Sequence, residues 1–219
     1  TDAIQRLPAQ AGASPDDIDT PALVVDLDAF ERNLDLMANA LRGAGVALRP
    51  HGKAHKCPAI AFEQIQRGAV GICCQKVGEA EAFVESGVRN VLVTNEIVGR
   101  AKLNRLAAMA KKATIGVLAD NAHVVREIGA AATAAGASIT VLVEVDVGAR
   151  RCGVAPGAPV AALAIDIART PGLVFGGIHG YHGGAQHLRE QRHGQQSAHC
   201  HRQTRSPEAA LCHTEVLLT

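Results

Sequence analysis

Tryptophan is absent from the 219 residues, tyrosine occurs once and phenylalanine four times. A core this poor in rings must be packed in bulk from Ala, Val, Leu and Ile, which suits layered α/β packing. Charge of one sign is also lacking, with 22 Lys and Arg against 21 Asp and Glu. That balance recommends neither a nucleic-acid backbone nor an anionic membrane as partner, so a small molecule is the expected ligand. No stretch approaches the ~18 uncharged apolar residues of a membrane span. No charged segment followed by an apolar run opens the chain as a secretory leader would. The six cysteines (Cys57, Cys73, Cys74, Cys152, Cys200 and Cys212) include an adjacent pair and follow no regular spacing. They read as reduced thiols rather than a disulfide framework. Together these absences lead to the expectation of a soluble, cytoplasmic protein.

What is present is an alternation of short β-branched runs with Ala-rich helical stretches, the pattern of repeated βα units around a parallel sheet. Strands are expected at Ala22–Leu27, Val46–Arg49, Val70–Cys74, Val91–Thr94, Thr114–Leu118, Ile139–Val147 and Leu173–Ile178. Between the first two, a helix from Asp28 to Leu41 would place Phe30, Leu34, Met37 and Leu41 on one face, with Asp28 as its cap and Gly43 and Gly45 ending it. Gly87, Gly136 and Pro171–Gly172 close later helical runs in the same way. Even spacing and parallel strands favour a barrel over an open sheet. The length falls short of the roughly 250 residues usual for eight βα units. Residues 1–20, a Pro, Ala and Asp mixture without periodicity, read as an N-terminal arm. The βα rhythm stops at about Ala185, and residues 186–219 are dense in Gln, His and Arg. That segment has the character of a disordered tail, or of a reading frame lost near Glu190 so that a foreign tail replaces the end of the fold.

Three clusters carry chemistry. The first, Arg49-Pro50-His51-Gly52-Lys53-Ala54-His55-Lys56, puts two lysines, two histidines and an arginine at the C-terminal end of a strand, where parallel β/α folds build their active sites. An amine crowded by cations and partly desolvated is pushed toward its neutral, nucleophilic form, which suits attack on an aldehyde. The second, Glu144 to Val154, ends a strand in acids and turns through Gly148 and Gly153. That turn would bring an arginine back over the sheet mouth to donate to a phenolate or phosphate. The third, Gly176 to Gly184, holds Tyr181, His179 and His182 among five glycines, and suits stacking around a flat ring. His179 and His182 at i, i+3 could alternatively hold a metal.

Taken in order, these motifs resemble the D-threonine aldolase and 3-hydroxy-D-aspartate aldolase group, similar in its N-terminal barrel to alanine racemase and including eukaryotic-type D-serine dehydratases. The resemblance runs from Asp19-Thr20-Pro21-Ala22-Leu23-Val24-Val25-Asp26-Leu27 through Arg49-Pro50-His51-Gly52-Lys53, Ile72-Cys73-Cys74-Gln75-Lys76-Val77 and Val91-Leu92-Val93-Thr94-Asn95. It ends with Asp146-x-Gly148-x-x-Arg151-x-Gly153 and Tyr181-His182-Gly183. It implies an α/β fold: a pyridoxal-phosphate-binding (β/α)8 barrel of alanine racemase type, incomplete here with about six barrel strands over residues 21–185. It also implies that Lys53 is the Schiff-base lysine, that Arg151 binds the cofactor's phenolic oxygen, and that Tyr181, His51, Gln75 and Asn95 neighbour the cofactor. Ala22–Leu27 would be a lead-in strand. The implied activity is cleavage of a D-β-hydroxy-α-amino acid to glycine and an aldehyde; dehydration of D-serine or 3-hydroxyaspartate, and cofactor binding without catalysis, are the alternatives. Complete relatives would form homodimers and add a divalent metal (Mn, Mg, Zn or Co) on a His-x-Asp or His-x-Cys pair. Residues 186–219 contain neither such a pair nor the phosphate-binding glycine loop that the resemblance places in the next barrel units, and His199-Cys200-His201 and Cys212-His213 match the pair only superficially, so the expectation includes a chain inactive through truncation.

Overall fold

A computed structural model describes residues 9–183 and the backbone of a strand at 214–217. The chain alternates α1 (Leu27–Leu41), β1 (Ala47–Pro50), α2 (Pro58–Gln66), β2 (Ile72–Cys74), α3 (Val77–Glu85), β3 (Asn90–Glu96) and α4 (Arg100–Met109). It continues with β4 (Thr114–Ala119), α5 (Ala122–Ala135), β5 (Ile139–Val145), α6 (Ala158–Arg169), β6 (Leu173–Gly180) and, after the undescribed stretch, β7 (Thr214–Leu217).

Local chemistry sets the element ends. The cap of α1 is Asp26, whose Oδ1 accepts from the Ala29 amide at 2.9 Å; Asp28 already lies inside the helix, so the expected cap moves back by two residues. Phe30, Leu34, Met37 and Leu41 do share the inward face, though each is only half-buried. Asn121 caps α5 by accepting from Val124, and Gly136 ends that helix in a left-handed conformation at φ 61°. Ala22–Asp26 is not a strand: no strand lies beside it among the described residues, and Leu23 is fully exposed. β-branched character alone cannot make a strand without a hydrogen-bonding neighbour.

Strands β2 to β6 pair in parallel in sequence order, as repeated right-handed βα units require. β1 joins this sheet at its C-terminal end. The Gly52 amide donates to the Cys73 carbonyl at 2.7 Å, and His51 sits opposite Cys73. The other edge of β1 is covered by β7, antiparallel, with Ala47 opposite Leu217. A segment expected to be outside the fold therefore contributes a strand to it. β6 has no partner on its outer edge among the described residues, and Val174, Phe175 and Ile178 remain substantially exposed there.

The two faces of the sheet differ. The larger core packs Val91, Val93, Ile115, Val117, Val141 and Val143 against helix residues such as Phe83, Leu106, Ile128 and Ile167. On the opposite face, alternation leaves a single small layer of Cys73, Leu92, Leu118 and Leu142. Directly beyond that layer, toward the C-terminal strand ends, lie His51, Thr94, Glu144 and His179, the buried polar side chains of the described residues. This polar stratum is where the sequence clusters converge.

Candidate active site

The first half of the mouth is built by β1, β2 and β3. Thr94 Oγ1 donates to the Cys74 carbonyl at 3.3 Å and lies 3.2 Å from His51 Nε2. With its only proton so used, the hydroxyl accepts from the ring, which puts the imidazole proton on Nε2 and leaves Nδ1 as an acceptor. Nδ1 accordingly receives the Lys53 amide at 3.3 Å. His51 thus shapes the backbone that presents Lys53. Gln75 and Asn95 join the ends of β2 and β3: Asn95 Nδ2 donates to the Gln75 carbonyl at 3.2 Å, and Gln75 Nε2 to the Thr94 carbonyl at 3.4 Å.

The cations of the first cluster do not stay together. Arg49 reaches back to Asn90 Oδ1 at 2.9 Å, at the start of β3, and burial pulls its pKa below the ordinary arginine value. The His55 ring stands edge-on to Phe83, accepts from the Cys57 amide at 3.0 Å, and is pushed down in pKa by burial. Lys56 leans outward to Glu79, 3.7 Å away, with 64% of its side chain exposed. The anticipated crowd of positive charge is dispersed. What distinguishes Lys53 is its half-buried side chain, whose amine has no hydrogen bond or ion pair among the described residues. Of the two lysines, Lys53 is the uncommitted one.

β5 and β6 build the second half. Asp146 Oδ1 accepts from the amides of Gly148 and Arg150 at 2.9 and 3.0 Å, so β5 stops at Val145 instead of running to Val147. These two bonds, Arg150 first, hold the Asp146 carboxyl below the usual range. The loop returns through Gly153 (φ 104°), whose successor Val154 bonds to Glu144 and Asp146. Arg150 is spent on this turn at a positive φ of 52°. Arg151 instead lays its guanidinium 4.3 Å from the centroid of the Tyr181 ring.

Beneath that stack, Glu144 is 1% exposed and hydrogen-bonds His179 Nδ1 through Oε2; its Oε1 accepts from Cys152 Sγ at 3.7 Å. Sequence reasoning marked both residues without pairing them. Their meeting depends on β5 and β6 standing in register with Glu144 opposite His179. Thr94 was missed as an organiser; its signal is a hydroxyl two residues after inward Leu92.

As to metals, Glu96, Glu144 and Cys152 bring three ligand-type atoms within 4.8 Å of one another, a group that includes neither His179 nor His182. Glu144 already has both oxygens engaged, so these described residues do not form a fitting cage. His199-Cys200-His201 and Cys212-His213 lie outside the residues whose side chains are described. Cys57, Cys74 and Cys152 are in no disulfide, and no described helix is long and apolar enough to cross a membrane.

Parallel βα units, with a half-buried lysine and an arginine–tyrosine stack at the strand C-termini, define an α/β protein of the β/α-barrel class. The chain belongs to the family of the alanine racemase N-terminal domain, whose model matches residues 25–217. It is 51% identical over 182 residues to a D-threonine aldolase of Arthrobacter, covering 83% of this chain and 48% of that protein. Against a 3-hydroxy-D-aspartate aldolase of Paracoccus denitrificans it is 42% identical, again covering 83% and 48%. The crystal structure of D-threonine aldolase from Filomicrobium marinum superposes with a TM-score of 0.83 at 50% identity, over 87% of this chain and 52% of that one. The chain therefore spans about half the length of the curated relatives it matches.

Proposed function

We propose that this chain is the cofactor-holding part of a pyridoxal-phosphate-dependent lyase that cleaves a D-configured β-hydroxy-α-amino acid into glycine and an aldehyde. The observation that carries the reading is the uncommitted Lys53 amine at the same strand ends as the Arg151–Tyr181 stack. A donor set of one amine, one guanidinium and one phenol ring suits a flat aldehyde with a phenolic oxygen. Two further polar atoms at this end, His182 Nδ1 and Glu96 Oε1, are buried without a hydrogen-bond partner among the described residues.

Pyridoxal phosphate, when bound, supplies the electron sink for the pair released from the Cα–Cβ bond. The residues of the chain bind and orient. Lys53 would hold the aldehyde carbon of the cofactor through its amine. His51, fixed by Thr94, keeps the Lys53 backbone in place. Arg151 would donate to the phenolic oxygen, and Tyr181, Gln75 and Asn95 would neighbour the cofactor. The divalent metal implied for complete relatives finds no fitting donors among the described residues. Reduced thiols agree with a cytoplasmic enzyme, and a homodimer is the assembly we assign to the complete protein.

The test is borohydride trapping of the chain with pyridoxal phosphate, followed by peptide mapping, before and after Lys53→Ala. The label should fall on Lys53 and vanish in the variant; a label on Lys56, or one that survives the substitution, overturns the assignment. A separate, unreduced sample incubated with D-threonine and a divalent metal should give glycine and acetaldehyde. A keto acid and ammonia would replace the aldolase reading with the dehydratase.

A further inference from the structure

We propose that Glu144 is a positioning residue that couples the Arg151 loop to the Tyr181 strand end, so that the guanidinium and the phenol ring stand stacked before any ligand arrives. The inference rests on the functional reading above and concerns residues to which that reading gives no role.

The geometry converges on one carboxylate. Oε2 takes the His179 ring, and His179 is two residues before Tyr181 on β6. Oε1 takes the Cys152 thiol, and Cys152 follows Arg151 directly. One buried side chain therefore fastens both halves of the stack, each at one or two residues' remove. Burial, together with Glu96 and Glu144, pushes the Cys152 thiol up against the pull of Arg151, which keeps its proton available to donate. The loop has a second, backbone-level tether in Gly153, whose amide donates to Asp120 Oδ2 at 3.3 Å.

A merely structural role is a poor account of this arrangement. A carboxylate and an imidazole taken from water into a barrel interior recover little net stability, and an apolar pair of the same volume commonly does as well. Leu142, one step deeper on the same face, shows that this side of the sheet accepts apolar packing. A polar pair at the top of that column is better explained by what it orients.

The experiment is a double-substitution cycle on the full chain, read by the dissociation constant for pyridoxal phosphate alone and by the apo melting temperature. Arg151→Ala should weaken binding by about tenfold, the usual scale for one charge-assisted contact. Glu144→Gln should weaken it by a similar factor, and the double variant should stay near tenfold, because Glu144 acts through Arg151. As an independent arm, His179→Asn keeps a donor where Nδ1 stands and should bind within about threefold of the parent, whereas His179→Leu should lose about tenfold. Unchanged binding in Glu144→Gln or in Arg151→Ala, a double variant near a hundredfold, or equal losses for His179→Asn and His179→Leu would each overturn the proposal. The His179 arm decides alone if Glu144→Gln shows no cooperative melt. Failure of the unsubstituted chain to bind would overturn the functional reading as well, which separates the two failures.

Discussion

Replacing Gly153 by alanine isolates how much the Arg151 loop depends on one backbone approach. Gly153 has φ 104°, and a Cβ there would lie 2.6 Å from the Asp146 nitrogen and 2.7 Å from the Val145 carbonyl carbon. Both neighbours are backbone, so neither can swing aside. A side chain forced into positive φ costs about 1–2 kcal/mol. Relief of the clash requires the loop to withdraw, which weakens the bonds from Val154 to Glu144 (2.9 Å) and from Asp146 to Val154 (3.0 Å). At about 1 kcal/mol each, the sum is about 3–4 kcal/mol. Gly45 is the control: its φ is 71° and nothing lies within 4 Å of its would-be Cβ, so Gly45→Ala should cost only the conformational part, about 1–2 kcal/mol. Urea unfolding followed by far-UV circular dichroism gives both numbers. If the two variants agree within about 0.5 kcal/mol, beyond which distinct effects are resolved, the crowding argument is wrong.

Two further outcomes follow from burial and titration. Alkylation of the native chain at pH 8 should reach Cys57 before Cys73 and Cys74: both of the latter are fully buried, and desolvation, with Glu79 adding to it, pushes the Cys74 thiol far up. Peptide mapping that finds Cys74 modified ahead of Cys57 would contradict the described strand β2. The Asp146 carboxyl is held below its ordinary value by the Arg150 and Gly148 amides. Its contribution is therefore complete above the unfolded value of about 3.9 and is lost as pH falls through the lower folded one. Asp146→Asn should accordingly be less stable than the parent at neutral pH and approach it toward pH 2–3; parallel melting curves across that range would refute the linkage.

Much of the fold was legible because βα units write themselves locally. β-branched runs bounded by Gly and Pro located β1 to β6 to within about two residues, a precision usual for such patterns. The failures share a cause. Ala22–Asp26 has strand character but no neighbour to bond to. β7 lies in a segment whose composition gives no warning, since its pairing is with β1, more than a hundred residues earlier. At the site, Arg151 and Tyr181 were both marked from the chain alone, and the structure stacks them. The Glu144–His179 pair could not be found that way, because it exists only through the register of two strands whose residues are 35 apart in sequence. The dispersal of Arg49, His55 and Lys56 away from Lys53 was equally hidden: consecutive residues in a turn point in directions that only the packed structure fixes.

The unequal faces of the sheet have a consequence for how such a protein can change. Among the described residues, those that resist unfolding lie mostly on the helix side, and the inner side contributes one thin layer of four apolar side chains. Substitutions at the mouth therefore draw on little of the cohesion that keeps the chain folded. A fold built this way can take changes at a handful of inward residues, while the outer packing goes on accepting the same valines and isoleucines.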